Sequence, residues 1–203
     1  DDTRFEPEDI PLTVVYEGRG NGGTWLREMK DLDADNLRNQ VQAIAGYLHP
    51  AASLLDFETS DLADLTLPAR IELRCAIPGY AVRAGDDLLL FDLPAVMYSA
   101  QDVGRPTRVH DLFWGHVYRD ATRGVVRFPE GYSVYATPET ADCASSIVAY
   151  EAAFEEEGNA LRFADGYDLK VDRAGREHYE TYKECREARA HLARQRVILS
   201  RSR

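Results

Sequence analysis

The chain has 203 residues, of which 44% are apolar, enough for one large domain or two small ones with a hydrophobic core. Its 35 acidic and 24 basic residues give a net charge of -11, which repels phosphate backbones and anionic lipid surfaces, so we expect no nucleic-acid partner. The sequence also lacks an apolar run of about 18 residues, so we expect no membrane span.

Turn residues and apolar periodicity divide the first part of the chain into short elements. Asp33 is a good N-cap, and apolar residues recur at steps of four, three and four through the segment that follows it, as on one face of a helix. In chain order we expect a lead-in at 1–11, a strand at 12–16, a glycine-rich loop at 18–23, helices at 25–32 and 35–48, and strands at 53–59 and 70–77.

The second part of the chain is richer in strands. Its first apolar run is continuous, which is typical of a strand covered on both faces, and the last helix carries Tyr179, Tyr182 and Cys185 on one stripe. In chain order we expect a strand at 88–91, a loop at 98–108, strands at 112–118, 124–128, 132–135, 147–154, 160–163 and 167–171, a helix, and a strand at 197–199.

These elements predict the fold class. About ten strands and three helices, joined mostly by short turns, favour an α+β fold of mainly antiparallel β structure, sandwich-like in its second half, with the helices packed on the sheet. We expect one domain over residues 1–203. The alternative is a subdivision into 1–80 and 81–203.

Two segments carry a family resemblance. Residues 123–135 contain an arginine, a β-prone run, the bend Pro129-Glu130-Gly131 and a second β-prone run, and residues 178–199 contain a tyrosine-bearing helix and a final strand. Residues 14–18 and 25–27 are similar to the opening of the same region. The chain thus resembles the C-terminal, non-catalytic region of large bacterial secreted proteins that carry a transglutaminase-like domain in their middle. The resemblance implies an accessory domain of unknown function in a periplasmic or extracellular protein, with the transglutaminase-like domain or another protein as its partner.

The cysteines do not fit a transglutaminase-like active site, which needs a cysteine at a helix N-terminus beside a histidine and an acidic residue. Cys75 is expected on the inward side of a strand, Cys143 in a polar connection and Cys185 in mid-helix. We therefore predict no catalytic residue and no enzyme activity in this chain. The odd number argues against a disulfide framework, although one bridge and one free thiol remain open.

A nucleotide-binding turn is the alternative enzyme hypothesis. Gly18, Gly20 and Gly23 satisfy G-x-G-x-x-G between a predicted strand and a helical segment. The acidic residue expected about 20 residues later would fall within a helix instead of at a strand end. We therefore favour an ordinary glycine-rich connection and expect no cofactor.

Two histidines form a candidate metal pair. Residues six apart in a strand point to the same face, so His110 and His116 would share a face in an extended segment, with Asp111 on the other face, but no third ligand has a recognisable spacing. His178 and Cys185 share a helix face on which packing is the simpler interpretation. We therefore predict no metal site.

Aromatic residues are the remaining binding candidates, because their faces bind sugars or peptides at little entropic cost. Most should be core residues. Trp25, Trp114 and Tyr118 are the candidates for an exposed platform. A carbohydrate- or peptide-binding β-sandwich is therefore a further hypothesis, beside the accessory domain.

Overall fold

The computed structural model describes residues 9–93 and 95–201. Their strands pair only in antiparallel fashion, which confirms the predicted mainly antiparallel α+β fold. The predicted lead-in at 1–11 lies mostly outside the described residues. The strands, in chain order, are β1 Ile10–Gly20, β2 Ser53–Thr59, β3 Ala69–Ile77, β4 Val82–Ala84, β5 Leu88–Asp92, β6 Leu112–Phe113, β7 Tyr118–Arg127, β8 Tyr132–Ala136, β9 Ala141–Ala144, β10 Val148–Glu157, β11 Ala160–Leu169, β12 Arg173–Ala174 and β13 Arg196–Arg201.

Three α-helices accompany these strands in the described residues. They are α1 Thr24–Arg27, α2 Ala34–Leu48 and α3 Tyr179–Leu192. Asp33 caps α2 as predicted, because its side chain accepts a hydrogen bond from the Asn36 amide at 2.9 Å. The predicted apolar stripe is buried in α2 at Val41, Ile44 and Leu48.

The main sheet has seven strands in the order β2-β3-β1-β7-β11-β10-β9. A four-stranded sheet has the order β4-β5-β13-β8, and β6 pairs with β12. One core cluster contains buried residues of both larger sheets and of all three helices. Strands from 1–80 and from 81–203 are neighbours in the main sheet, because β1 pairs with both β3 and β7.

Three strand predictions were wrong. The chain leaves β6 after Phe113, because Gly115 adopts a positive φ of 76° and the Trp114 and Gly115 amides both bond to the Asp172 carbonyl, so 112–118 is not one strand. The strands predicted at 160–163 and 167–171 form the single strand β11. In β5 only alternate side chains, Leu89 and Phe91, are buried, so this strand is not covered on both faces.

The segment 123–135 is not a hairpin. β7 belongs to the seven-stranded sheet, whereas β8 pairs with β13 in the four-stranded sheet. The bend at Gly131, which has a φ of 81°, therefore carries the chain from one sheet to the other.

Candidate functional site

The main sheet has one face against the core; on its other face, which we name the outer face, no helix or sheet of residues 9–93 and 95–201 packs. Alternate residues of β1, β7, β10 and β11 point to this face. At its centre these residues have small and medium-sized side chains. Thr13, Val15 and Val125 are half-buried, and Ala153 and Ala164 are exposed. The centre of the outer face is thus a shallow apolar floor.

A cavity of about 710 Å³ lies over this floor. Small-molecule pockets in proteins have volumes of about 300–1,000 Å³, so the cavity is large enough for several side chains of a bound segment. On the opposite side of the sheet, the Phe163 ring covers Gly124, where a Cβ atom would collide with the ring. Glycine at this position therefore permits close packing beneath the floor.

Ion pairs surround the floor. Arg70 and Glu72 are 2.5 Å apart, Arg74 lies 2.8 Å from Asp56, and Arg162 lies 2.6 Å from Glu157. These groups are at least partly exposed, so the pairs keep charged side chains solvated at the rim and add little to stability. The floor is apolar and its rim is polar, as in protein-protein interfaces.

The core-facing side of the sheet carries a different feature, which we name the Arg189 network. Arg189 lies on α3 with a buried side chain, and its guanidinium is 3.0 Å from Asp165 and 3.4 Å from Asp120. It also lies 3.6 Å from the ring centroid of Tyr98, whose hydroxyl donates to Asp165 at 2.9 Å. This network joins α3 to β7 and β11.

Electrostatics within the network are mutually compensating. Burial raises the pKa of Asp120, although Arg189 acts in the opposite direction. Burial also raises the pKa values of Tyr98 and Tyr150. For Arg189, burial alone would lower the pKa, but Tyr98, Asp165 and Asp120 oppose it and the net change is upward. The network thus holds a charged arginine in the core by surrounding it with carboxylates and aromatic rings.

The predicted aromatic platform is not one surface. Trp25 is 43% exposed and makes an edge contact with Tyr16, with ring centroids 5.9 Å apart, at a pocket of about 200 Å³. Trp114 packs on Tyr182 at 5.0 Å, and Tyr118 packs on Tyr167 at 5.6 Å. Trp114 and Tyr118 are both half-buried, so of the three candidates Trp25 is the exposed one.

The glycine motif begins within a strand, whereas we predicted a loop over the whole of 18–23. Gly18 and Gly20 lie in β1, and Gly20 has a φ of 57° that the tight turn requires. A Cβ at Gly18 would overlap the Gly22 carbonyl, and one at Gly23 would lie 2.7 Å from the Gly18 carbonyl oxygen. The close packing of this turn on itself accounts for its glycines.

The histidine pair lies outside the strands. His110 and His116 are exposed loop residues, and Asp111 accepts a hydrogen bond from the Arg176 amide. They do not share a strand face, because the strand predicted at 112–118 ends at Phe113. Across the described residues, no group of three or more His, Cys, Asp or Glu side chains is arranged to hold a metal ion.

The structure joins two of the three cysteines. Cys143 is in the edge strand β9, not in a connection, and forms a disulfide with Cys185 of α3, with their Cα atoms 5.6 Å apart. Cys75 is free and buried, as its predicted inward position implies. Burial raises its pKa to about 11, which keeps the thiol protonated at neutral pH.

A family model described as "Domain of Unknown Function with solved-structure structure (DUF3858)" matches residues 88–199, just over half of the chain. The chain belongs to the DUF3858 family. In this DUF3858 protein the matched segment runs from β5 to β13 and includes α3, the Arg189 network and the β7, β10 and β11 side of the outer face. Strands β1 and β3, which complete that face, precede it.

The comparison with solved structures gives a similar chain at 13% identity, a crystal structure described as "a putative protease from Parabacteroides distasonis ATCC 8503". The alignment covers 58% of the DUF3858 chain and 24% of the other chain, with a TM-score of 0.48. The DUF3858 chain therefore aligns with about a quarter of that protein's length. The comparison with curated proteins gave no match. None of the helices in the described residues is long and apolar enough to cross a bilayer.

Proposed function

We propose that this chain is a non-catalytic accessory domain of a larger bacterial extracytoplasmic protein, and that it docks a protein segment on the outer face of its main sheet. The observation that carries the proposal is the apolar floor with its cavity of about 710 Å³ and its polar rim. The sequence resemblance to the C-terminal region of transglutaminase-like proteins supports a neighbouring catalytic domain as the source of that segment.

The distribution of reactive groups supports the same proposal. The buried ionisable side chains Arg189 and Asp165 are paired with each other, and Cys185 is in a disulfide. These groups hold α3 on the sheet and so give the outer face a rigid support. A rigid platform lowers the entropic cost of docking.

The test is an association measurement. The 203-residue chain and the remainder of its parent polypeptide are produced separately and mixed, and their association is followed by isothermal titration calorimetry. We expect binding that Val125→Arg abolishes, because a long charged side chain would stand in the floor. Val82→Arg is the matched control, since Val82 is a strand residue 61% exposed outside the outer face.

If Val125→Arg binds as well as the unchanged chain while remaining folded, the outer face is not the docking surface. Absence of any association would also refute the proposal. A nucleotide-dependent rise in the melting temperature, abolished by substituting Gly18, would favour the alternative enzyme hypothesis.

A further inference from the structure

One end of the outer face carries three arginines on the neighbouring strands β1 and β7. Arg19 and Arg119 are directly opposite each other in the antiparallel register, and Arg123 is four residues along β7 on the same face. All three are exposed. Like charges directly opposite each other in a sheet are destabilising, so this arrangement needs an explanation other than stability.

Among the described residues, two of these arginines have no ion pair with a carboxylate. Arg123 lies 3.9 Å from Glu17, whereas within the described part of the chain Arg19 and Arg119 have no carboxylate oxygen within 4.0 Å. Asp168 is the residue opposite Arg119 on β11, but it too is beyond that distance. The arginine cluster is therefore a local positive site on a chain of net charge -11.

A cavity of about 240 Å³ lies between these side chains and is lined by Glu17, Arg19, Arg119 and Arg123. Asp120 also lines it, but its carboxylate bonds to Arg189 on the core-facing side of the sheet. Arg123 also lines the larger cavity over the apolar floor, so the two cavities lie side by side on the outer face. A ligand that fills both has an apolar part over the floor and an anionic part among the arginines.

We propose that the arginine cluster binds carboxylates of an acidic segment of the protein docked on the outer face. Guanidinium groups bind carboxylates through paired, charge-assisted hydrogen bonds. The overall negative charge of the chain disfavours nucleic acid and anionic membranes as the source of the anion. This inference rests on the proposed function and adds the chemistry of the docked segment.

The spacing of the arginines defines a probe. Residues four apart in a strand are about 13 Å apart, the same as residues four apart in an extended peptide. A fluorescein-labelled peptide, Gly-Val-Gly-Val-Gly-Glu-Gly-Ser-Gly-Glu, places two valines over the floor and two carboxylates at this spacing. A matched peptide has Gln in place of both Glu residues.

Fluorescence anisotropy with the 203-residue chain measures the affinity for both peptides. We expect the Glu peptide to bind at least about tenfold more tightly than the Gln peptide, because two charge-assisted contacts are lost in the latter. Arg19→Glu/Arg119→Glu should abolish this preference. Arg38→Glu/Arg105→Glu, at exposed positions outside the outer face, changes the net charge equally and should retain it.

Equal affinity for the two peptides overturns the inference, as does failure of the Glu peptide to bind at millimolar concentration. Loss of the preference in the control variant also overturns it, because the effect would then be one of net charge alone. The association test separates this failure from that of the proposed function. If Val125→Arg blocks association and Arg19→Glu/Arg119→Glu does not, the docking face stands and the carboxylate assignment is wrong.

Discussion

The Arg189 network offers the sharpest test of how the core of this domain is held together. Arg189→Met removes the guanidinium and leaves the Asp165 carboxylate, with a side chain only 1% exposed, without its 3.0 Å partner. Removing one member of a buried ion pair costs about 3–5 kcal/mol, because the remaining charge is buried and uncompensated. The Tyr98 hydroxyl still donates to Asp165, so we expect the lower part of this range.

Urea unfolding followed by far-ultraviolet circular dichroism gives the free energy of unfolding. Arg196→Met is the matched control. Arg196 lies 3.1 Å from Asp92, almost the same separation, but these side chains are 56% and 52% exposed. An exposed pair contributes about 0–1 kcal/mol. The double variant Arg189→Met/Asp165→Asn should be more stable than Arg189→Met alone, because the orphaned charge is gone.

If Arg189→Met lowers the free energy of unfolding no more than Arg196→Met does, burial does not determine how much these ion pairs contribute to stability. If the double variant is less stable than the single variant, the loss in the single variant does not come from an uncompensated carboxylate. Either result refutes the explanation given for the network.

Three further predictions concern the disulfide, Gly124 and Cys75. Cys143→Ser/Cys185→Ser should lower the free energy of unfolding by about 2–4 kcal/mol, since the bridge closes a loop with a sequence separation of 42, and reduction of the unchanged chain should reproduce the loss in urea unfolding. Gly124→Ala should lower the melting temperature measured by calorimetry, because its Cβ would collide with the Phe163 ring; an unchanged value would show that the ring moves freely. The pKa of buried Cys75 is raised from 9.0 to about 11, so the unfolded chain loses the thiol proton first, and the free energy of unfolding should fall by roughly 2 kcal/mol as pH rises from 9 to 11. Cys75→Ala should remove that part of the decline in unfolding experiments at each pH.

Much of the strand and helix order was predictable because alternation and capping residues are local signals, but the short strands β4, β9 and β12 were not predicted. The Asp33 cap, the strand Ser53–Thr59 and the buried stripe of Tyr179, Tyr182 and Cys185 follow from spacing alone. The Cys143-Cys185 pairing was not predictable, because it depends on how β9 lies against α3.

Buried charge explains the main error in the sheet. Asp165 continues the inward alternation of Leu161 and Phe163, but a carboxylate at an inward position interrupts the apolar pattern by which a buried strand is recognised. Arg189 lies one turn beyond Cys185 on the apolar stripe of α3, and its burial was not predicted for the same reason. A charged residue at each of two otherwise apolar periodic positions is the signal that could have revealed the pair.

The outer face could not be predicted, because it depends on the order of strands in the sheet. Arg19 and Arg119 are 100 positions apart in the sequence and become neighbours through the pairing of β1 with β7. Small residues such as Thr13 and Ala164 have no individual signature of a docking surface. Only their arrangement around one cavity gives them that role.

Hydroxyl-radical footprinting of the outer face tests the docking proposal most directly. Side-chain oxidation of Val15 and Val125 is compared between the isolated 203-residue chain and the full-length parent polypeptide, with exposed Val82 as the internal reference. We expect strong protection of Val15 and Val125 in the full-length protein and unchanged oxidation of Val82. Equal oxidation of the two outer-face valines in both proteins would contradict it.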